Sequence, residues 1–132
     1  MESSNNNHFY LLLVDDEKDI LDLFSEYLTS NGFNTISFDN PVKAIKYFYQ
    51  NPNNCSLVIA DYKMPQMSGK AFINKIREKD TDYKIKIMLI SAFMKSDLNV
   101  NVMLKNLKID KVIEKPIHLE TLKDEVKKLL LN

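Results

Sequence analysis

The chain has almost no cysteine, no excess of charge and no long apolar run. Cys55 is the only cysteine in 132 residues, so no internal disulfide can form, which fits a reducing compartment. Lysine plus arginine and aspartate plus glutamate stand at 18 each, a formal balance of zero. That balance argues against a dominant role on nucleic acid or at a membrane surface. No apolar stretch reaches the length of a membrane span, and Met1 is not followed by the basic-then-apolar pattern of a secretory signal. A cytoplasmic location is therefore expected. Cys55 and His8 have no neighbours at metal-ligand spacing and read as structural or incidental. No internal repeat, linker or second domain is visible. What remains is one domain, with 45% apolar residues to build its core. Residues 1–8, polar and rich in Asn and Ser, read as a disordered tail, and 9–132 as the folded domain.

The order of the domain is set by the stretch from Leu57 to Gly69. Leu57-Val58-Ile59-Ala60 is an apolar, partly β-branched run of the kind found in strands buried on both faces. It ends on one carboxylate, Asp61. A proline, a Ser68 N-cap and a glycine then turn the chain into a helix on Phe72, Ile73 and Ile76. The first strand, Phe9 to Val14, has the same character and ends in Asp15-Asp16. Ile20, Leu23, Phe24, Tyr27 and Leu28 follow at helical spacing, with Gly32 as the stop. A short β-rich run from Asn34 to Phe38 leads to Asn40-Pro41, an N-cap with proline at the first helical position. The helix so opened, on Val42, Ala44, Ile45 and Phe48, closes in the Asn/Pro cluster of 51–54. The Asp61 helix breaks around Asp80-Thr81-Asp82. Ile85 to Ile90 predicts a fourth strand running into Ser91, and Leu98, Val102 and Leu107 a weaker fourth helix. Ile109 to Ile113 predicts a fifth strand ending at Glu114-Lys115-Pro116, before a last helix on Leu119, Leu122, Val126, Leu129 and Leu130. Five strands alternating with five helices imply an α/β fold, a parallel sheet with helices on both faces.

All carboxyl ends of a parallel sheet lie on one edge, where open α/β sheets keep their ligand sites. Asp15, Asp16, Asp61, Ser91 and Lys115 therefore converge. Taken singly, each has a plain reading: Asp15 or Asp16 as an N-cap, Asp61 as a turn residue, Ser91 as a strand-end serine, Lys115 as a solvated lysine, Pro116 as a helix-start proline. His118 reads as a surface residue. Together they have a coherent chemistry. Clustered carboxylates repel one another unless a hard cation sits among them, and Mg²⁺ takes carboxylates with waters and phosphate oxygens. One carboxylate can then attack phosphorus to give an aspartyl phosphate, with a cation and hydrogen-bond donors to balance the charge.

These residues carry a resemblance. Val14-Asp15-Asp16-Glu17, Asp61 through Gly69, Leu89-Ile90-Ser91-Ala92 and Glu114-Lys115-Pro116 together resemble the anchors of a response-regulator receiver domain, over roughly Phe9 to Leu130. The resemblance implies a flavodoxin-like strand order 2-1-3-4-5. It implies that Asp61 accepts a phosphoryl group from a sensor histidine kinase or phosphotransfer protein. Asp16 and Asp61 would bind Mg²⁺ (or Mn²⁺) directly, Asp15 through water, and the Lys63 backbone carbonyl would complete the protein ligands. Ser91 would turn toward the phosphoryl group, Lys115 would pair with it, and the Lys115-Pro116 bond would be cis. By the same resemblance, Lys63 and Phe93 flank the path of the attacking water. The output partner is an unknown protein, and the domain is expected as a monomer or a weak, phosphorylation-dependent dimer. Two positions depart from the family pattern. Val112 stands where an aromatic switch residue is usual, and Leu107-Lys108-Ile109 where small residues are usual.

The leading expectation is thus a phospho-accepting signalling domain and not a turnover enzyme. Three other readings stay open: a receiver that is part of a larger regulator or hybrid kinase, a Mg²⁺-dependent phosphohydrolase, and an unphosphorylated scaffold. The complete acidic, Ser and Lys set counts against the last.

Overall fold

The computed structural model describes residues 9–92, 102 and 105–131. The expected tail over residues 1–8 lies outside the described residues, as does Phe93. One parallel sheet holds β1 (Tyr10–Val14), β2 (Thr35–Phe38), β3 (Cys55–Asp61), β4 (Lys86–Ser91) and β5 (Lys111–Glu114), in the order β2-β1-β3-β4-β5. Four full helices are described: α1 (Lys18–Ser30), α2 (Pro41–Gln50), α3 (Gly69–Lys79) and α4 (Leu119–Leu131).

Alternation along the strands sends side chains to two cores. Leu12, Val14, Val58, Ala60, Ile87 and Leu89 face α2 and α3, meeting Phe48, Phe72, Ile73 and Ile76. Leu11, Leu13, Leu57, Ile59, Met88 and Ile90 face α1 and α4, meeting Phe24, Leu28, Leu122 and Val126. Two covered faces explain why β1 is a continuous apolar run, for all five of its residues are buried.

The helix boundaries follow local chemistry. Asn40 caps α2 by accepting from Val42 and Lys43 N–H, and Ser68 caps α3 by accepting from Ala71 N–H. Gly32 follows the α1 cap with φ of 95°, a backbone that glycine adopts without strain. The expected fourth helix falls mostly outside the described residues. Val102, Lys105 and Asn106 are helical, but Leu107 lies in a turn, not in the helix. Lys108 has φ of 53°, which stops helical progression there. The fifth strand begins at Lys111 and not at Ile109, because Asp110 instead brackets the start of β4: its N–H donates to the Ile87 carbonyl and its carboxylate accepts from the Ile87 N–H.

Candidate functional site

Register brings the acids together. Val14 pairs with Ala60, so Asp15 and Asp61 are the next residues along neighbouring strands. Asp61 in turn pairs with Ile90, and Ser91 with Glu114, which places Ser91 and Lys115 at the same edge. The loop after Asp61 is pinned from both sides. Met64 is buried in the α2/α3 core, and Gly69 N–H donates to the Tyr62 carbonyl at 2.7 Å. A Cβ on Gly69 would lie 2.8 Å from both the Cα and the carbonyl oxygen of Tyr62, so this close approach requires glycine.

Asp15, Asp16 and Asp61 each offer a carboxylate oxygen within 4.8 Å of the others. Asp15 and Asp61 are buried, while Asp16 is exposed. Lys115 Nζ reaches three carboxylates: Glu17 at 2.8 Å, Asp15 at 3.0 Å and Asp61 at 3.2 Å. Its three N–H donors are thereby all used. Asp61 also accepts from the Lys63 N–H at 3.2 Å. The Lys63 residue itself is exposed. Ser91 is buried, and its carbonyl accepts from the Lys115 N–H at 2.9 Å. The Lys115-Pro116 bond is cis.

Burial pushes the Asp61 carboxyl above its ordinary range; Lys115 pulls the other way, and the Asp15 charge adds to the rise. For Lys115, burial pulls downward, yet hydrogen bonds to Glu17 and Asp15 and the charges of Asp15 and Asp61 outweigh it. The ammonium is held above its ordinary range. One lysine thus leaves clustered carboxylates only partly balanced. Hard oxygen donors with surplus negative charge are the set that a divalent cation such as Mg²⁺ takes, so these residues fit that group.

The plain capping reading of the first acids does not hold. Glu17 occupies the N-cap position of α1 with no side-chain cap bond, and Asp15 accepts from the Glu17 N–H at 2.9 Å. His118 is exposed, and its carbonyl accepts from Leu122 N–H at the start of α4. Val112 is half-buried against the α2/α3 core. The contact of Glu17 with Lys115 is not readable from the sequence, which shows only a third acid in a row. Two open depressions flank the acids. One, of about 510 Å³, is lined by Asp16, Tyr62, Lys63, Met64, Pro65 and Ser68. The other, of about 440 Å³, runs between α1 and the segment after β5, along Ile20, Leu23, Phe24, Ala92, Pro116 and Ile117, with Glu17 and Lys115 also in its lining.

Comparison with known proteins agrees with this fold. CpdR, a response regulator receiver protein of Brucella abortus, is 32% identical over 121 residues, which is 91% of this chain and 95% of that protein. A cyclic di-GMP phosphodiesterase of Thermotoga maritima is 27% identical over 92% of this chain, but the match spans only 31% of that longer protein. Among solved structures, a receiver domain protein of Methanospirillum hungatei superposes with a TM-score of 0.82 at 22% identity, covering 92% of this chain and 93% of that one. The chemotaxis protein CheY4 of Vibrio cholerae gives 0.81 at 20%, covering 92% and 98%. At such identities these structures show a shared fold. The sequence model of the response regulator receiver domain matches residues 11–127, and the chain belongs to that family.

Proposed function

We propose that Asp61 accepts a phosphoryl group from the phosphohistidine of a sensor histidine kinase or phosphotransfer protein, and that the new charge changes which protein the domain contacts. The observation that carries this reading is the Asp61 carboxylate itself. It is buried at a strand end, hydrogen-bonded by Lys115 and by the Lys63 N–H, and set beside two further acids. In the transfer, an Asp61 oxygen attacks phosphorus and the P–N bond to histidine breaks. The imidazole leaves with the electron pair and takes up a proton, and an aspartyl phosphate remains.

Asp15, Asp16, Asp61 and the Lys63 carbonyl would hold Mg²⁺, or Mn²⁺ in its place, and the bound ion would offset charge on the phosphoryl oxygens. Lys115 gives up its longest contact, to Asp61, and donates to a phosphoryl oxygen instead. The Ser91 hydroxyl turns toward the same group. Phosphorylation adds about 1.5 to 2 negative charges. With valine at 112 there is no ring to swing, so the readout passes through the Ser91 loop and not through an aromatic rotamer. Lys63 and Phe93 shield the phosphoryl group from water and lengthen its life. The domain works as a cytoplasmic monomer or a weak dimer formed on phosphorylation.

A protein donor must bring its histidine to Asp61, and the apolar groove along Ile20, Leu23 and Phe24 opens beside that carboxylate's partner, Lys115. We assign the docking of the donor to it. Leu23, 50% exposed, is its outward anchor. The test is labelling with acetyl phosphate and Mg²⁺, read by intact mass. One phosphoryl group per chain is expected, absent in Asp61→Asn because an amide is not a nucleophile, and reduced in Asp16→Asn. Label retained in Asp61→Asn would overturn the assignment. Hydrolysis of phosphate esters beyond one equivalent would instead favour a phosphohydrolase.

A further inference from the structure

The receiver reading accounts for Asp15, Asp16, Asp61, Ser91 and Lys115 but leaves Glu17 without a task. Glu17 makes the shortest of the three contacts to Lys115, at 2.8 Å, and its side chain is the exposed one of the three acids, at 58% against 5% for Asp15 and 8% for Asp61. The α1 N-cap position that it occupies draws no hydrogen bond from its side chain. Its carboxylate is outside the group of Asp15, Asp16 and Asp61 that can share a cation. The three acids that hold Lys115 therefore differ in what happens to them. Asp15 and Asp61 are the ones whose charge a cation and a phosphoryl group would claim. Glu17 keeps its charge for the lysine.

We propose that Glu17 is a positioning residue: it anchors the Lys115 ammonium over Asp61 so that one N–H is aimed at the incoming phosphoryl group. This rests on the reading of Asp61 as the phosphoryl acceptor. The order of distances carries the argument. The contact to Asp61, at 3.2 Å, is the longest and the one most easily exchanged for a phosphoryl oxygen, while the contact to Glu17 is the shortest and stays. A lysine stem has four rotatable bonds, so without the anchor the ammonium spends part of its time elsewhere. The donor that should meet the developing charge is then not preset.

The experiment compares wild type, Glu17→Ala and Glu17→Gln with acetyl phosphate at saturating Mg²⁺. Glu17→Ala is expected to slow labelling about fivefold, the rate equivalent of about 1 kcal/mol for a partly exposed ion pair. Glu17→Gln keeps the reach and an acceptor but loses the charge, and is expected between the two. The half-saturating Mg²⁺ concentration is expected to stay unchanged, because Glu17 is not a ligand. A second readout needs no labelling. In metal-free protein the Lys115 ammonium proton resonance, protected by its bonded acids, should exchange faster with water in Glu17→Ala. Unaltered labelling in Glu17→Ala, an unaltered Lys115 resonance, or a shifted Mg²⁺ requirement would each overturn the proposal. Failure of the wild type to take label at Asp61 would overturn the receiver reading instead, and the resonance experiment stands apart from that outcome.

Discussion

Replacing Arg77 with Met is expected to destabilise the domain by about 3–5 kcal/mol, far more than a surface ion pair would. Arg77 lies in the last turn of α3, where the sequence shows only an arginine three residues before an aspartate. In the structure its side chain is 7% exposed and pairs with an equally buried Asp80 at 2.6 Å. The guanidinium also donates to the carbonyls of Ile85 at 2.7 Å, Lys108 at 2.8 Å and Leu107 at 2.9 Å. Asp80 completes its own shell with the N–H groups of Lys84 and Ile85. The clamp thus ties the α3–β4 turn to the segment before β5. Met keeps the apolar stem and volume but strands a buried carboxylate and leaves three carbonyls to water, and breaking a buried pair from one side costs about 3–5 kcal/mol. Urea unfolding is the assay. With a slope of about 2 kcal/mol/M for a domain of this size, the midpoint should fall by roughly 2 M. Arg77→Lys should recover little, since a lysine ammonium cannot reproduce a planar fork that bonds in four directions. Arg77→Met combined with Asp80→Asn should cost less than the two single changes added, by about 1–3 kcal/mol of coupling. A loss under about 1 kcal/mol for Arg77→Met, or strict additivity in the double variant, would refute the reasoning.

Three further outcomes are expected nearer the site. Gly69→Ala should lose about 1–3 kcal/mol in urea unfolding and label more slowly, because its Cβ would meet backbone atoms of Tyr62 at 2.8 Å and displace the residue next to Asp61; normal labelling would refute this. In metal-free protein Asp61→Asn should be more stable than wild type at pH 7. Burial raises the folded-state pKa of Asp61, so between its unfolded and folded values the native chain binds the extra proton and stability falls as pH rises. The advantage of Asn should shrink as pH drops through the folded value toward the ordinary carboxyl range, and equal stability at pH 7 would count against a desolvated carboxylate. Leu23→Ala should slow transfer from a phosphorylated donor protein about tenfold while leaving labelling by acetyl phosphate unchanged; equal loss with both donors would place Leu23 outside donor docking.

Local signals in the sequence located most of the fold. The apolar runs at Leu11–Val14 and Leu57–Ala60 are doubly buried strands, and Asn40 and Ser68 cap helices as their positions foretold. The carboxylates at the strand ends meet because parallel topology alone dictates it. What escaped the sequence depends on contacts between distant segments. The Arg77 clamp depends on Leu107 and Lys108, brought against it from thirty residues on, and nothing local in the sequence marks it. Glu17 reads as one more acid until Lys115 arrives from 98 residues away. Leu107 fits a helical period with Val102, yet the left-handed backbone of Lys108 ends the helix before it. Periodicity carries no information about such a stop, because a non-glycine residue at positive φ leaves no mark in the apolar pattern.

The position of Lys115 shows how the scaffold and the chemistry are joined. This lysine directly follows β5, which lies at the sheet edge and, among the described residues, pairs on one side only, with β4. Two adjacent side chains nonetheless fix it on both faces: Val112 packs into the α2/α3 core and Ile113 into the α1/α4 core. The Lys115 N–H then closes on the Ser91 carbonyl. The backbone of Lys115 is thus tied to Ser91, while its side chain, with four rotatable bonds, is the part freer to respond to a phosphoryl group. That side chain is bonded to three acids, two of them buried and one exposed. Exchanging one acid for a phosphoryl oxygen changes the charge around the ammonium without changing the strand. If the proposed transfer to Asp61 holds, a valine at 112 is compatible with it, because this residue packs against the α2/α3 core and makes no contact that the strand-end charges need.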